Sequence, residues 1–314
     1  MNRKKLTIAA WILDMVLIII LSFIYYLNKP IKTPQVLFIP QGSINQIIAQ
    51  LQKNGYDVGK LDSLVLRFIG SPQSGWIDLS QTLLTKADFL YRLTTAKAAL
   101  RDITLIPGET TYVFLQEVAT QTGLDFEKLY GEFLQYSPLP EGMLVPNTYK
   151  IPLGITEKEL IILLLEVSKK EMRQLSMKIF GSYNEKKWFH YLVVASIIQK
   201  ESANNKEMLL VSSVIYNRLK KGMKLQMDGT LNYGKYSHQR VTPKRIRNDV
   251  SLFNTYKHKG VPKIPICNVG IEAIRAAIFP AKTNYLYFMR SKKGTHDFTC
   301  NYSTHLKNIR NATK

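Results

Sequence analysis

At 314 residues the chain is long enough for one large or two modest domains with real cores. Hydrophobic residues at 46% and charged residues at 21% exclude a disordered composition. The formal net charge of +20 requires an acidic partner, or a surface that tolerates its own repulsion.

The N-terminus is a basic tail, residues 1–5, followed over residues 6–27 by an apolar run whose only charge is Asp14. That is about the length needed to cross a hydrocarbon core. A cleavable signal peptide would have a shorter apolar region and a small-residue cleavage site, whereas Tyr25, Tyr26, Asn28 and Lys29 stand here. The run reads as a single transmembrane helix, in which Asp14 costs about 2.5–3.5 kcal/mol unless protonated or paired. Arg3, Lys4 and Lys5 precede it, which predicts an N-terminus inside and the mass of the protein outside. That placement weakens nucleic acid as a partner and favours anionic lipid head groups or an acidic extracellular polymer. Cys267 and Cys300 are either one disulfide or two small buried hydrophobes, and their spacing does not decide.

Pro30 and Pro34 predict a linker without regular structure over residues 28–34. A short strand follows at 36–39, then a helix capped by Ser43, with Ile44, Ile47, Ile48 and Leu51 at helical spacing and Gly55 at its end. The same order of strand, Ile-Pro, helix and terminating glycine returns from Ile103 to Gly123, a weak internal repeat. Residues 56–100 complete a small α+β module, and 138–154 form a proline-punctuated extended segment. An amphipathic helix capped by Thr156 follows, with acidic residues in its first turn. Two further helices are predicted at about 185–203 and 206–221, the second closed by Gly222. The tail alternates as a hairpin around the turn Ser-Lys-Lys-Gly and ends in a short helix.

Glu201 stands at the end of the helix 185–203. Three, four and seven residues before it are Ile198, Ile197 and Val194, all apolar, while Gln199 and Lys200 point elsewhere. Burial and the negative end of the helix dipole both oppose ionisation and raise the pKa, which suits a general acid for a glycosidic or ester oxygen. The competing reading is a glutamate fraying into solvent at a helix end. The loop beyond offers Gln226, Asp228, Thr230, Asn232 and Tyr233, types that hold sugars by hydrogen bonds and stacking but that are also ordinary in loops. His190, His238, His258, His296 and His305 lack paired metal-ligand spacing, and no glycine-rich phosphate loop follows a strand, so no metal and no cofactor are expected.

The segments ASIIQKES, VSSVIYNRLKKGMKLQMDGTLNYG, FNTYKHKGVPKIPICNVG, AIRAAIFPAKTNYLYF and GTHDF occur in this order, with PEGMLVPNTYKIP before them. Together they resemble the YceG-like endolytic murein transglycosylase (MltG) family over nearly the whole chain after the linker. The resemblance implies an α+β fold with a LysM-like module at 35–100 and a YceG-like catalytic domain at 101–314. It further implies that Glu201 is the catalytic acid and base, with Gln226, Asp228, Asn254 and Tyr256 in the substrate groove. The implied substrate is the peptidoglycan glycan strand, cut between N-acetylmuramic acid and N-acetylglucosamine to leave 1,6-anhydromuramyl ends. Such cleavage would terminate nascent polymerisation beside peptidoglycan synthases, on the outer side of the cytoplasmic (inner) membrane. The alternatives are a hydrolytic muramidase with Asp228 as second carboxylate, and a non-catalytic membrane-anchored peptidoglycan-binding scaffold. Two departures stand out: Gln226-Met-Asp-Gly-Thr where the family usually has a proline at the fourth place, and Asn268-Val-Gly where it usually has Asn-Pro-Gly.

Overall fold

A computed structural model describes residues 3–313. The basic tail expected at 1–5 begins outside them, since Met1 and Asn2 are not described. The apolar run forms α1 (Arg3–Leu27), and its stretch Leu6–Leu27 is the one helix among the described residues long and apolar enough to cross a membrane. The structure is mixed α and β, and the chain divides into two compact units, Met1–Arg101 with Lys150–Ile155, and Asp102–Tyr149 with Thr156–Lys314.

In the first unit the segment expected to be an irregular linker is partly ordered. Pro30–Lys32 is strand β1, paired antiparallel with β4 (Leu83–Thr85), Ile31 lying opposite Leu84. Proline is tolerated because it is the first residue of a strand in a two-stranded sheet, where a missing N–H costs no interior ladder bond. Next come β2 (Val36–Ile39), α2 (Ile44–Lys53), α3 (Lys60–Ile69) and β3 (Gly75–Asp78), with β2 and β3 antiparallel and Ile39 opposite Gly75. Ser43 and Gln46 cap α2 reciprocally, the Ser43 N–H donating to Gln46 Oε1 at 2.8 Å. After β4, α4 (Lys86–Thr95) closes a core of Ile39, Leu51, Leu66, Leu79, Phe89 and Leu93. Lys150–Ile155 joins this unit: the Leu153 N–H donates to the Ala99 carbonyl at 2.9 Å, and Gly154 lies so close to Trp76 that a Cβ would sit 2.7 Å from the ring. The boundary expected at 100/101 is therefore not a single cut.

The second unit takes up β5 (Leu100–Thr104) from Asp102 onward, then α5 (Thr111–Thr122) and α6 (Phe126–Tyr136), and β5 pairs with β6 (Thr148–Pro152). The two strand-turn-helix segments share a local plan, and both helices end at a glycine of positive φ, Gly55 and Gly123. Their strands, however, pair differently. Six helices and a hairpin complete the unit: α7 (Glu157–Phe180), α8 (Glu185–Glu201), α9 (Met208–Lys220), α10 (Pro243–Asn248), α11 (Ile271–Ile278), β7 (Tyr287–Arg290), β8 (His296–Thr299) and α12 (Tyr302–Thr313). Thr156 and Glu159 form the expected capping box on α7, and β7 pairs with β8 in the expected hairpin.

Helix α8 is the axis of this unit. Every residue from Leu192 to Ile198 is buried, so these two turns are enclosed on all sides rather than along one stripe, while Glu185, Lys186, Lys187 and His190 in the earlier turns are exposed. Its buried serine hydroxyl is satisfied twice: Ser196 Oγ donates to the Val193 carbonyl at 2.8 Å and accepts the Ile266 N–H at 3.0 Å. The thiol of Cys267 lies against the Ser196 carbonyl, and burial pushes its pKa up. Cys267 and Cys300 are both free, the first buried and the second exposed.

Candidate active site

The last residue of α8 is Glu201, capped by Ser202, whose N–H returns to the Ile198 carbonyl. The helix thus delivers a carboxyl to the edge of its own buried core. Glu201 is partly exposed because it opens onto a cavity of about 550 Å³, which Arg218, Gln226, Asp228 and Tyr256 also line. Burial of the carboxyl pushes its pKa from 4.5 up to about 7. The Gly229 N–H, donated to Glu201 Oε1 at 2.6 Å, and the Arg218 guanidinium pull it down, while Asp228 adds to the rise. A group poised there holds its proton in a large share of molecules at neutral pH and can release it.

The loop facing Glu201 is held by the segment 254–256. The Gln226 N–H donates to the Thr255 carbonyl at 3.2 Å and the Met227 N–H to Thr255 Oγ1 at 3.1 Å. Gln226 adopts φ of 51°, a left-handed conformation that costs a non-glycine residue about 1 kcal/mol, with Leu225 and Met227 buried on either side. Gly229 is needed for contact: a Cβ there would lie 2.7 Å from Lys200 Cβ and 2.8 Å from Glu201 Oε1. Tyr256 donates its hydroxyl to Asp228 Oδ1 at 2.6 Å, and burial first, then this bond, pushes the phenol pKa up.

Of the five site residues expected from the sequence, Glu201, Gln226, Asp228 and Tyr256 share the cavity. Asn254 does not line it. Its side chain is fully buried, its amide donating to the Ile246 and Asp249 carbonyls at 2.8 Å each while Oδ1 accepts the Tyr256 N–H at 3.1 Å. A motif position cannot separate a residue that faces the ligand from one that braces its neighbour. Gln199 and Lys200, expected to point away from the apolar face that leads to Glu201, are partly buried and engaged. Gln199 Oε1 accepts the Gly270 N–H at 3.1 Å, and Lys200 Nζ donates to Ser237 Oγ at 2.9 Å.

The opposite wall of the cavity comes from β7, β8 and α12, which sequence reasoning left out of the site. It offers Tyr287, Arg290, His296, Tyr302 and His305. His296 is fixed by Glu207, with its Nδ1 2.7 Å from Glu207 Oε2 and its backbone N–H donated to Glu207 Oε1 at 2.8 Å. Burial alone would raise the Glu207 carboxyl, but these bonds outweigh it and hold the group below the usual carboxylate range. Arg218 is buried, with Nε donating to the Leu286 carbonyl and Nη1 to the Leu225 carbonyl, each at 2.6 Å, and its guanidinium 5.2 Å from the centre of the Tyr287 ring. The sequence signals for this wall were the segments NYLYF and GTHDF, which carry Tyr287 and His296, but no single residue of them stood out as a site residue. No three or more His, Cys, Asp or Glu side chains converge to hold a metal ion among the described residues.

Two further carboxylates lie buried in the same unit. Glu109 accepts Ser237 Oγ–H at 2.8 Å and sits 2.7 Å from His238 Nε2. Glu141 accepts the Thr111 hydroxyl at 2.7 Å, the Thr111 N–H at 3.0 Å and the Gly142 N–H at 2.9 Å. Burial nonetheless pushes Glu141 up to about 7.

The chain is similar to known proteins over most of its length. A Bacillus subtilis (strain 168) protein named endolytic murein transglycosylase is 35% identical over 176 residues, covering 53% of this chain and 46% of that protein. A protein of the same name from Streptococcus pneumoniae serotype 2 (strain D39 / NCTC 7466) is 26% identical over 278 residues, 85% of this chain and 48% of that one. The chain thus spans about half the length of these curated relatives. A crystal structure of a YceG-like protein from Listeria monocytogenes shares the fold, with a TM-score of 0.56 at 24% identity, over 88% of this chain and 99% of that one. The model of the YceG-like family matches residues 37–311, most of the chain, which therefore belongs to the YceG-like family.

Proposed function

We propose that the chain is an endolytic lytic transglycosylase of peptidoglycan, with Glu201 as its acid and base. The observation that carries this reading is a single carboxyl, raised to about 7, that opens onto a cavity lined by hydrogen-bonding and aromatic side chains. In the first step protonated Glu201 gives its proton to the oxygen joining N-acetylmuramic acid to N-acetylglucosamine as the C1–O bond breaks. The Glu201 carboxylate so formed then takes the proton of the C6 hydroxyl on the same muramyl residue while that oxygen bonds to C1. A 1,6-anhydromuramyl end results, no water is consumed, and Glu201 is again protonated. One carboxyl suffices because the nucleophile is intramolecular and already near C1. Gln226, Asp228 and Tyr256 hold the sugar, Asn254 braces Tyr256 through its backbone N–H, and the name that both relatives carry agrees with this chemistry.

The location follows from α1, read as a single membrane span with the N-terminus inside and both units on the outer face of the cytoplasmic membrane. There the enzyme meets glycan strands still being polymerised and would end them close to the synthases. The order β2, α2, α3, β3, with β2 and β3 antiparallel, supports reading 35–100 as a LysM-like module and the remainder, 101–314, as the catalytic domain. Asp228 in the same cavity supports one competing reading, a hydrolase with a second carboxylate. Mass spectrometry of products from uncrosslinked glycan separates the two: transglycosylation leaves the total mass unchanged, hydrolysis adds one water per cut. A non-catalytic scaffold would release no product with either wild type or Glu201→Gln.

A further inference from the structure

The membrane-span candidate is not tethered to the first unit by a flexible joint. The hydroxyl of Tyr26, in the last turn of α1, donates to Asp62 Oδ2 at 2.7 Å, and Asp62 is fully buried in the first turn of α3. Lys86 Nζ, also buried, lies 4.0 Å from the centre of the Tyr26 ring, 3.3 Å from Asp57 Oδ2 and 3.9 Å from Asp62 Oδ2. Leu27 packs against the core of the unit, and the Lys86 N–H donates to the Lys29 carbonyl at 2.9 Å. The end of the span and the start of α3 are therefore one packed assembly. Tyrosine is enriched where helices leave the bilayer, which sets Tyr26, and Asp62 with it, at the level of the head groups.

Helix α3 buries one face and leaves an apolar stripe on the other. Asp62, Ser63 and Leu66 turn inward. On the opposite side Leu61, Leu64 and Phe68, spaced three and four residues apart, form one stripe exposed at 52%, 49% and 91%. The exposed cations Lys60 and Arg67 flank it. The nearby exposed pair Phe38 and Trp76 differs, because those rings pack on each other at 5.3 Å. Among the described residues nothing covers Phe68. The stripe begins one residue before Asp62, the residue bonded to the end of the span, and its basic flanks match an anionic surface.

We infer that the outer face of α3 is a second membrane contact, with Leu61, Leu64 and Phe68 entering the boundary between head groups and acyl chains and Lys60 and Arg67 meeting acidic lipid head groups. This inference rests on the reading of α1 as a membrane span. It holds the first unit down on the bilayer at a fixed orientation instead of letting it swing on a stalk.

The test uses the full chain in vesicles of phosphatidylcholine with phosphatidylglycerol, and in vesicles of phosphatidylcholine alone. In a Cys300→Ser background, where Cys267 stays buried, a polarity-sensitive fluorophore is placed on Leu64→Cys, Phe68→Cys and the control Lys97→Cys. Lys97 is exposed and lies beyond the end of α4 opposite Lys86, about 15 Å along the helix. Labels at 64 and 68 are expected to shift blue and to be quenched severalfold by nitroxides on shallow acyl positions, more strongly with phosphatidylglycerol, while the label at 97 is not. Lys60→Gln with Arg67→Gln should abolish the lipid dependence. Labels at 64 and 68 that stay in water, in protein that floats with vesicles and resists alkaline extraction, overturn the inference and leave the anchor standing. Labels shielded from water but not quenched by lipid nitroxides also overturn it, since a protein then covers the face. Protein that does not float with vesicles overturns the anchor and the inference together.

Discussion

Glu201 and Glu141 are two carboxyls of one unit that burial lifts to the same place, about 7, by opposite designs. Glu141 is walled in, and three donors from Thr111 and Gly142 occupy its oxygens. Glu201 has one backbone donor, on Oε1, and its carboxyl faces a cavity. A raised pKa is therefore not a sign of catalysis by itself. What distinguishes Glu201 is access, together with an oxygen left unspent for a ligand.

The most direct way to break this comparison is amide substitution at both sites. Glu201→Gln should lower the rate of anhydromuramyl formation by about 10²–10⁴, the usual contribution of a positioned general acid, while Glu141→Gln should keep it within about tenfold. Comparable losses from both would show that access is not the distinction. Stability should move the other way at Glu201. An acid whose folded pKa lies above its unfolded value of 4.5 binds more protons when folded, so its contribution falls as pH rises from 4.5 through 7. Removing that titration should stabilise Glu201→Gln above pH 7 by on the order of 1–3 kcal/mol relative to wild type, and by nothing near pH 4, as denaturant melts at both pH values would report. The same group predicts a kcat/KM that declines as pH passes about 7, a limb absent from the variant's residual activity.

A smaller loss follows from crowding the acid without removing it. Gly229→Ala brings a Cβ within 2.8 Å of Glu201 Oε1 and 2.7 Å of Lys200 Cβ, so the carboxyl must shift. We expect kcat to fall by roughly 10- to 100-fold with KM little changed, because misplacement of a reacting group by about an ångström costs that much. Thr111→Val provides the mirror experiment on Glu141, taking away its shortest donor at similar shape. With less support for the charged form the Glu141 pKa rises further, so the variant should lose about 1–3 kcal/mol at pH 8, less at pH 5.5, and show the same kcat/KM limb as wild type.

The sequence made half of the comparison legible. Val194, Ile197 and Ile198 announced a buried helix ending in an acid, because helical periodicity and burial are local properties. It did not reveal that residues 192–198 of α8 are enclosed on every side, since a stretch apolar all round carries no phase to read. Nor did it reveal Glu141, whose burial depends on Thr111, thirty positions away, or Arg218, whose charge is satisfied by the carbonyls of Leu225 and Leu286. Main-chain partners leave no mark in composition. That Asn254 lies outside the cavity was hidden for a related reason: a buried strut and a ligand contact can occupy neighbouring places in one motif, and only the direction of the side chain separates them. The missed strand at Pro30 came from treating proline as a breaker where an outer strand accepts it.

The smallest expected effect concerns the neighbour that links Glu201 to a second carboxylate. Tyr256→Phe removes the hydroxyl bonded to Asp228 at 2.6 Å but leaves the ring in the cavity wall. Asp228 is exposed, so water can replace the lost donor. Activity should fall only a few-fold, mainly through KM, and the limb near pH 7 should move by less than about half a unit, since Asp228 ranks behind burial and the Gly229 bond in setting the Glu201 pKa. A shift of a full unit or more would mean that Asp228 and Glu201 titrate as a coupled pair. Two coupled carboxyls in one cavity are what a hydrolase needs and a transglycosylase does not, so that result would move the assignment toward hydrolysis before any product was weighed.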